Sequence, residues 1–203
     1  MLAIKRFIFG LFETNTYVVS NGQQVLLVDP ACAYEWEQQE LLRYMEQAAI
    51  SHCPLSIIAT HGHLDHLWGA RWATETWHTP VLMHTADIPM AQAMQQQYDL
   101  FGIRAKAEEF PIEGLGVSGL EVSGLEVIET PGHTPGSVCL YWPEDKVLLS
   151  GDTLFRMGYG RTDLPGGDTA QLIASLEKLF ALPAEVQVYP GHGEATTIGE
   201  ERQ

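Results

Sequence analysis

Between His61 and His66 the chain sets three imidazoles and one carboxylate, in the order Thr60-His61-Gly62-His63-Leu64-Asp65-His66. The segment directly follows the apolar run Leu55–Ala59. So dense a polar cluster is poor material for a core. It suits a turn at the end of a strand, with Asp65 and His66 on the first turn of a helix. Borderline divalent metals take neutral imidazole nitrogen and carboxylate oxygen, and this segment concentrates both.

Three further loops repeat the theme on a smaller scale: Thr130-Pro131-Gly132-His133-Thr134-Pro135-Gly136, Ser150-Gly151-Asp152-Thr153 and Tyr189-Pro190-Gly191-His192-Gly193. Each follows an extended apolar run and sets one ligand-type side chain beside glycine. Open sheets gather their sites at one end of their strands, so four such loops point to one shared centre. His52, His78 and His84 lack partners of this kind and read as surface or helix-end residues.

The elements that must position these loops are legible as well. Strands are expected at Thr16–Val19, Val25–Val28, Leu55–Ala59, Val81–Met83, Val127–Ile128, Val138–Tyr141, Val147–Leu149 and Val186–Tyr189. Leu41, Leu42, Met45, Ala48 and Ala49 form one apolar stripe at helical period, and Leu172, Ile173, Leu176, Leu179 and Phe180 form another. Asp168 with Gln171 suggests a capping box for the second stripe, and Pro183 stops it. A third helix is expected to start near Asp87 and Pro89 and to carry Met94, Tyr98 and Phe101. Trp68, Trp72 and Trp77 should pack a helix onto a sheet. The repeat Ser118–Val122 followed by Ser123–Val127 reads as a hairpin turning at Ser123 and Gly124. Strands that come in runs as well as alternating with helices argue for sheets packed face to face with helices outside.

Composition narrows the class. The chain has 203 residues, 45% of them hydrophobic and 18% charged, which fits one globular domain and excludes a disordered or fibrous chain. Its two halves would divide near residues 1–110 and 111–203. No apolar run approaches the roughly 18 residues of a membrane span. Lys5 and Arg6 precede only Phe7–Phe12, too short for a signal-peptide core, so a soluble, cytoplasmic protein is expected. Twenty-six acidic residues against eleven Lys and Arg give a net charge of −15, which would repel a nucleic-acid backbone. Neither nucleic acid nor a membrane is an expected partner, and the oligomeric state is left open. Cys32, Cys53 and Cys139 stand in no CxxC pair and read as buried thiols.

From Asn15-Thr16-Tyr17-Val18-Val19 to Gly191-His192-Gly193 the chain resembles the metallo-β-lactamase superfamily. The resemblance implies an αβ/βα four-layer sandwich, two mixed β-sheets flanked by helices. It also implies two divalent metal ions. His61, His63 and His133 would hold one, Asp65, His66 and His192 the other, with Asp152 bridging. Zinc is the first expectation, and iron and manganese accept the same donors. Within the superfamily, Gly151-Asp152-Thr153-Leu154-Phe155 followed by Gly158-Tyr159-Gly160-Arg161-Thr162-Asp163 is similar to the glyoxalase II (hydroxyacylglutathione hydrolase) and persulfide dioxygenase group. Leu164-Pro165-Gly166-Gly167-Asp168 and Gly193–Gly199 resemble its compact members. Full-length glyoxalase II continues into a helical domain that grips the glutathione carboxylate. The resemblance covers no such segment within these 203 residues, and Glu194 stands where a Tyr is expected two positions after the last metal-binding His. The expected substrate is therefore a small thioester, S-lactoylglutathione or a related hydroxyacyl thioester, with glutathione itself in question.

The chemistry implied is hydrolysis. Two cations about 3.5–4 Å apart lower the pKa of a shared water from about 15.7 toward 7, giving hydroxide at neutral pH. Asp65 and Asp152 would fix it for attack on an acyl carbon, and a thiolate leaves without a general acid. Arg161 is read as an anchor for a substrate carboxylate or a clamp on a carboxylate beside the metals, and Asp163 as an orienter of a ligand imidazole. The alternative is a mononuclear iron persulfide dioxygenase using His61, His133 and Asp152. A nuclease or lactonase of the same superfamily ranks below it.

Overall fold

The computed structural model describes residues 2–47, 50–115 and 124–202. In chain order the strands are β1 (Ala3–Phe9), β2 (Thr14–Ser20), β3 (Val25–Val28), β4 (Leu55–Ile58), β5 (Val81–Met83), β6 (Ile112–Gly114), β7 (Glu126–Glu129), β8 (Val138–Trp142), β9 (Val147–Gly151), β10 (Leu154–Phe155), β11 (Gly158–Tyr159), β12 (Gln187–Pro190) and β13 (Thr196–Thr197). The helices are α1 (Glu35–Gln47), α2 (Leu64–Leu67), α3 (Ala70–Trp77), α4 (Ile88–Gln92), α5 (Met94–Leu100), α6 (Thr169–Phe180) and α7 (Ile198–Glu201). All eight expected strands form.

Two sheets result. The first runs β1-β2-β3-β4-β5-β6, antiparallel from β1 to β3 and parallel from β3 to β6. The second runs β13-β12-β9-β8-β7, with β12 and β9 its one parallel pair. Parallel neighbours need crossovers, which α1, α3, α4, α5 and α6 supply.

Alternation along the strands sorts the core into layers. In β2 and β3, Val18, Val25 and Leu27 face one side, with Leu41 and Met45 of α1 and Ala70 and Ala73 of α3. Tyr17, Val19, Leu26 and Val28 face the other, where Leu140, Trp142, Val147 and Leu149 of the second sheet meet them. Cys139, Tyr141, Leu148 and Val188 point away from that interface, onto Leu172, Leu176 and Leu179 of α6. The order is helix, sheet, sheet, helix: the four-layer sandwich. β2, β3, β8 and β9 are buried along their whole length, and burial on both faces explains why β3 and β8 are apolar without interruption.

Several expectations are adjusted. The third helix breaks at Ala93, where φ is −87° and ψ 26°, and α5 starts anew at Met94. Gln97 steadies the break, its Nε2 donating to the Met90 carbonyl at 3.0 Å. Phe101 lies just past the end of α5. Asp168 caps α6 by accepting from Gln171 N at 3.0 Å, but the return arm of a capping box is missing. Gln171 Nε2 donates instead to the Asp168 carboxylate at 3.2 Å, while Asp168 N donates to the Gly132 carbonyl. Ile173 is exposed at 54% rather than part of the apolar stripe. Cys53 is half-buried, in the turn before β4, with Sγ 3.6 Å from the Gly22 carbonyl. Cys32 and Cys139 are buried, which pushes their thiols up to about 12 and about 11. Trp68, Trp72 and Trp77 pack against the helix-side core as expected. The proposed turn at Ser123 and Gly124, like Ala48 and Ala49, falls largely outside the described residues. Among the described residues no helix is long and apolar enough to cross a membrane.

The sheets meet at the carboxyl ends of β3, β4, β7, β9 and β12. Backbone bonds lock them there: Val138 N donates to Thr60 O at 2.9 Å, and Asn15 N to Gly191 O at 2.7 Å.

Candidate metal centre

The long loops carry their polar side chains to that junction. His61 follows the end of β4, His63 is the N-cap of α2, and Asp65 and His66 stand on its first turn. His133, Asp152 and His192 come from the turns after β7, β9 and β12. The ligand-type atoms of His61, His63 and His133 lie within 4.8 Å of one another, as do those of His61, His66 and Asp152, and of Asp65, His66 and His192. All seven residues named from the sequence therefore converge.

Asp152 stands between the groups. Its Oδ2 lies 3.5 Å from His133 Nε2 and 3.5 Å from His192 Nε2, and its Oδ1 lies 3.3 Å from His66 Nε2. Asp65 Oδ2 lies 3.2 Å from His192 Nε2 and 3.4 Å from His66 Nε2.

The outward ring nitrogens set the tautomers. His133 Nδ1 reaches the Arg161 carbonyl at 2.7 Å, and His192 Nδ1 the Phe12 carbonyl at 3.0 Å. A carbonyl only accepts, so each Nδ1 carries a proton, and in the neutral ring that coordinates a metal each Nε2 is bare. His66 Nδ1 donates to Asp29 Oδ2 at 2.9 Å with the same result. Thr60 Oγ1 donates to Asp29 Oδ2 at 2.8 Å, so its lone pair faces His61 Nδ1 at 3.1 Å. His63 turns the other way, its Nδ1 facing His133 Nε2 at 2.9 Å. Four bare Nε2 atoms, one Nδ1 and two carboxylates thus surround one small space.

Three of these atoms, His61 Nε2, His66 Nε2 and Asp152 Oδ1, are buried without a hydrogen-bond partner. Such orphans are costly unless something satisfies them. The donor set is right for divalent ions, with nitrogen and oxygen atoms and no thiolate. The residues present fit two metal ions.

The electrostatics agree. Burial holds His61 well below the ordinary 6.5 and takes His63 down to about 4, with neighbouring imidazoles adding to both shifts. Both are neutral and ready to coordinate at neutral pH. Burial would also depress His66, but Asp65, Asp152 and Asp29 outweigh it and raise the group well above 6.5. The pocket around that ring favours a positive charge. Asp65 and Asp152 are held below the usual carboxylate range, because His66 and His192 outweigh their burial.

Supporting residues that sequence reasoning missed complete the centre. Asp29, with φ of +52°, also accepts from Thr60 N at 2.7 Å, tying β3 to β4. Thr14 Oγ1 donates to Asp65 Oδ2 at 2.9 Å. From the sequence Asp87 stands only as an expected helix start. Its side chain makes no cap, and instead accepts from Gly62 N at 2.8 Å, Thr134 Oγ1 at 2.6 Å and Gly136 N at 2.6 Å. It thereby joins the His61–His66 loop to the His133 loop. An acidic residue directly after a buried strand was the available signal for Asp29. Nothing local marked Asp87.

Asp163 departs from its expected role. It binds Arg161 through two bonds of 2.6 and 2.7 Å, far out on the surface, which pulls its carboxyl down to about 2. It orients no imidazole. The Arg161 backbone carbonyl does that for His133, and the Arg161 side chain lines the cleft with its guanidinium closed on Asp163.

The cleft above the centre has a volume of about 380 Å³. Phe12, Leu64, Phe101, Phe155 and Leu164 form its apolar walls, and Asp65, Asp152, His63, His133 and His192 lie at its floor.

Comparison with known proteins agrees with this architecture. The metallo-β-lactamase superfamily model matches residues 9–192. The probable metallo-hydrolase YqgX of Bacillus subtilis (strain 168) is 35% identical, the alignment covering 96% of this chain and 92% of that protein. Hydroxyacylglutathione hydrolase GloC of Haemophilus influenzae is 30% identical over 95% of this chain and 91% of its own. The crystal structure of TTHA1623 in a di-iron-bound form superposes with a TM-score of 0.86 at 36% identity, covering 97% of this chain and 96% of that one. The chain belongs to the metallo-β-lactamase superfamily.

Proposed function

We propose that the chain is a metal-dependent thioester hydrolase, acting on S-lactoylglutathione or a related hydroxyacyl thioester. The observation that carries this reading is the convergence of bare imidazole nitrogens and two carboxylates on the floor of an open cleft. Similarity to hydroxyacylglutathione hydrolase GloC supports the thioester, and similarity to YqgX supports hydrolysis in general.

His61, His63 and His133 would hold one divalent ion and Asp65, His66 and His192 the second, with Asp152 reaching both. Zinc suits the donors, and iron is the metal named for TTHA1623. When bound, such ions supply an acidified water and a Lewis acid for a carbonyl oxygen.

The chain's own residues do the rest. The Asp152 carboxylate, at the floor of the cleft, is the acceptor there. A water there donates one hydrogen to it and turns a lone pair toward the cleft, where the acyl carbon enters. The walls of Phe12, Phe101, Phe155 and Leu164 exclude competing water from the acyl group. Outside the ligand set, the proton-bearing side chains lining the cleft are Tyr159 and Arg161, besides the amide of Gln97. None of these is a carboxyl or an imidazole, the groups most often used as general acids. A leaving group that must be protonated, such as an amide nitrogen, is poorly served, whereas a thiolate departs unaided.

The test is elemental analysis of purified protein, with the same sample assayed on S-lactoylglutathione, on thioesters of shorter thiols, and on glutathione persulfide with oxygen uptake. Two ions per chain and thioester turnover are expected. Fully loaded protein that consumes oxygen with persulfide and leaves every thioester intact would replace this reading with a dioxygenase.

A further inference from the structure

We infer that the groove beside the cleft, walled by Pro89, Met90, Ala93, Leu100, Phe101 and Leu164, binds an uncharged hydrocarbon substituent of the substrate. The inference rests on the reading of the cleft as the place where the scissile bond lies.

The groove has a volume of about 390 Å³ and shares His63, Gln97, Phe101 and Leu164 with the cleft. A chain leaving the reacting bond beside His63 would enter it past the residues the two cavities share. Among the described residues no Asp, Glu, Lys or Arg lines it, and the one titratable residue there, His63, belongs to the floor of the cleft.

Of the two glutamines that line it, Gln97 is spent elsewhere. Gln97 Nε2 donates to the Gly62 and Met90 carbonyls, each at 3.0 Å, and Gln97 Oε1 accepts from Leu64 N at 2.9 Å. Every polar atom of that amide is turned to the protein. What it can offer a ligand is its methylene face.

Large apolar side chains stand exposed along the same lip. Leu100 is 59% exposed and Phe101 40%, and the Phe101 ring meets Phe12 edge-on at 5.6 Å between centroids. A contiguous apolar surface rimming a polar floor marks a site that buries apolar area on binding. A tail bearing carboxylates would need a cation. Among the described residues Arg161 is the one Lys or Arg lining either cavity, and Asp163 holds the Nε–Nη2 edge of its guanidinium.

The hydrocarbon could belong to the acyl part or to the thiol part. Two series of non-hydrolysable thioether analogues of N-acetylcysteamine thioesters separate these sources. One lengthens the chain on the acyl side, the other on the thiol side. Affinities are measured by calorimetry on the metal-loaded protein. In one series affinity should rise about fourfold per methylene, with an increasingly negative heat-capacity change. Leu100→Glu, at an exposed position, and Ala93→Trp, which fills the groove, should each flatten that rise while binding the shortest analogue normally. Affinity flat with chain length in both series would overturn the inference, as would a rise that neither variant disturbs.

Turnover of acetyl to octanoyl thioesters by the same proteins tests the hydrolase reading separately. Chain-dependent affinity without turnover sinks that reading and leaves the groove assignment standing. Turnover with flat affinity does the reverse.

Discussion

Asp29 Oδ2 accepts the Nδ1 hydrogen of His66 at 2.9 Å, and both side chains are buried. The contact fixes the tautomer of a ring whose Nε2 faces Asp65 and Asp152. It also couples the end of β3 to the first turn of α2. Asp29→Asn keeps the shape, but the amide nitrogen cannot accept at one of the two oxygen positions that Thr60 and His66 use. Partners of this kind typically change metal affinity or activity about 10–100-fold when lost. A loss in that range is expected for the ion held by Asp65, His66 and His192, read by competition with a chromophoric chelator. Unchanged affinity would show that Asp29 serves only to join the strands.

The division between what the sequence disclosed and what it hid follows from range. His61 to His66 lie within one turn of strand and helix, so their cooperation is legible from spacing. The four loops could be grouped because each follows an apolar strand, and strands in such folds end on one edge. Runs of strands indicate sheets packed face to face with helices outside, while the four-layer order is what the resemblance to the superfamily implies. Asp87 could not be found in this way. Its partners Gly62, Thr134 and Gly136 lie 25 to 49 positions away and are backbone amides and a hydroxyl, which leave no side-chain signature. The Arg161–Asp163 pair misled for the opposite reason. Both residues stand beside the site in sequence, but a short turn lets them satisfy each other in solvent.

Asp87 should therefore matter more than its sequence context suggests. It accepts three hydrogen bonds with a carboxyl group that is fully buried. In Asp87→Asn, either rotamer of the amide turns an NH₂ toward a donor. Leaving such groups unsatisfied costs about 1–3 kcal/mol each, or a Tm drop of about 2–4 °C per kcal/mol in a chain of this size. Because Gly62 separates His61 from His63 and Thr134 follows His133, the ion held by those three imidazoles should loosen too. Calorimetric melting and metal content, measured together, check both effects.

Gly191→Ala tests the crowding of the centre from the other side. A Cβ at this position would collide with Asp152 Oδ1 and lie 2.7 Å from His66 Cε1. Neither neighbour is a flexible chain end, since both are held in the cluster. Overpacking of this kind typically costs about 1–3 kcal/mol, so the protein should still fold. The displaced Asp152 should cost it at least tenfold in metal affinity and most of its turnover. A variant with wild-type metal content would show that Asp152 is not needed where the structure sets it.

The metal-free protein should have a distinctive pH profile. Folding pushes His61 and His63 below 6.5, His63 to about 4, mainly through burial. The unfolded chain binds those protons near pH 6.5 and the folded chain does not, so stability falls as pH drops from about 6.5 toward 4. Asp65 and Asp152, lowered below 3.8, extend the loss at still lower pH. His66 and His192 are raised, so their contribution is present below pH 6.5 and lost as pH rises through their folded values. The Tm of chelator-treated protein should peak near pH 6.5 and fall by several degrees on either side. Metal loading should raise the curve and steepen its acid limb, because protons then compete with ions for the same nitrogens. A metal-free Tm that climbs steadily between pH 6.5 and 4 would contradict the burial of His61 and His63.

Arg161 offers a last separation, between its backbone and its side chain. Its carbonyl accepts from His133 Nδ1, while its guanidinium lies exposed against Asp163. Arg161→Ala removes only the second, so metal content and Tm should stay near wild type, as exposed ion pairs contribute little. If the guanidinium meets substrate, KM should rise several-fold for thioesters carrying a carboxylate and remain unchanged for neutral ones. Asp163→Ala should act in the opposite direction, because it frees the fork that Asp163 now occupies. KM for carboxylate-bearing thioesters should then fall. Equal losses on both substrate classes in Arg161→Ala, with no gain in Asp163→Ala, would make the pair a surface clasp on the loop that carries the His133 acceptor.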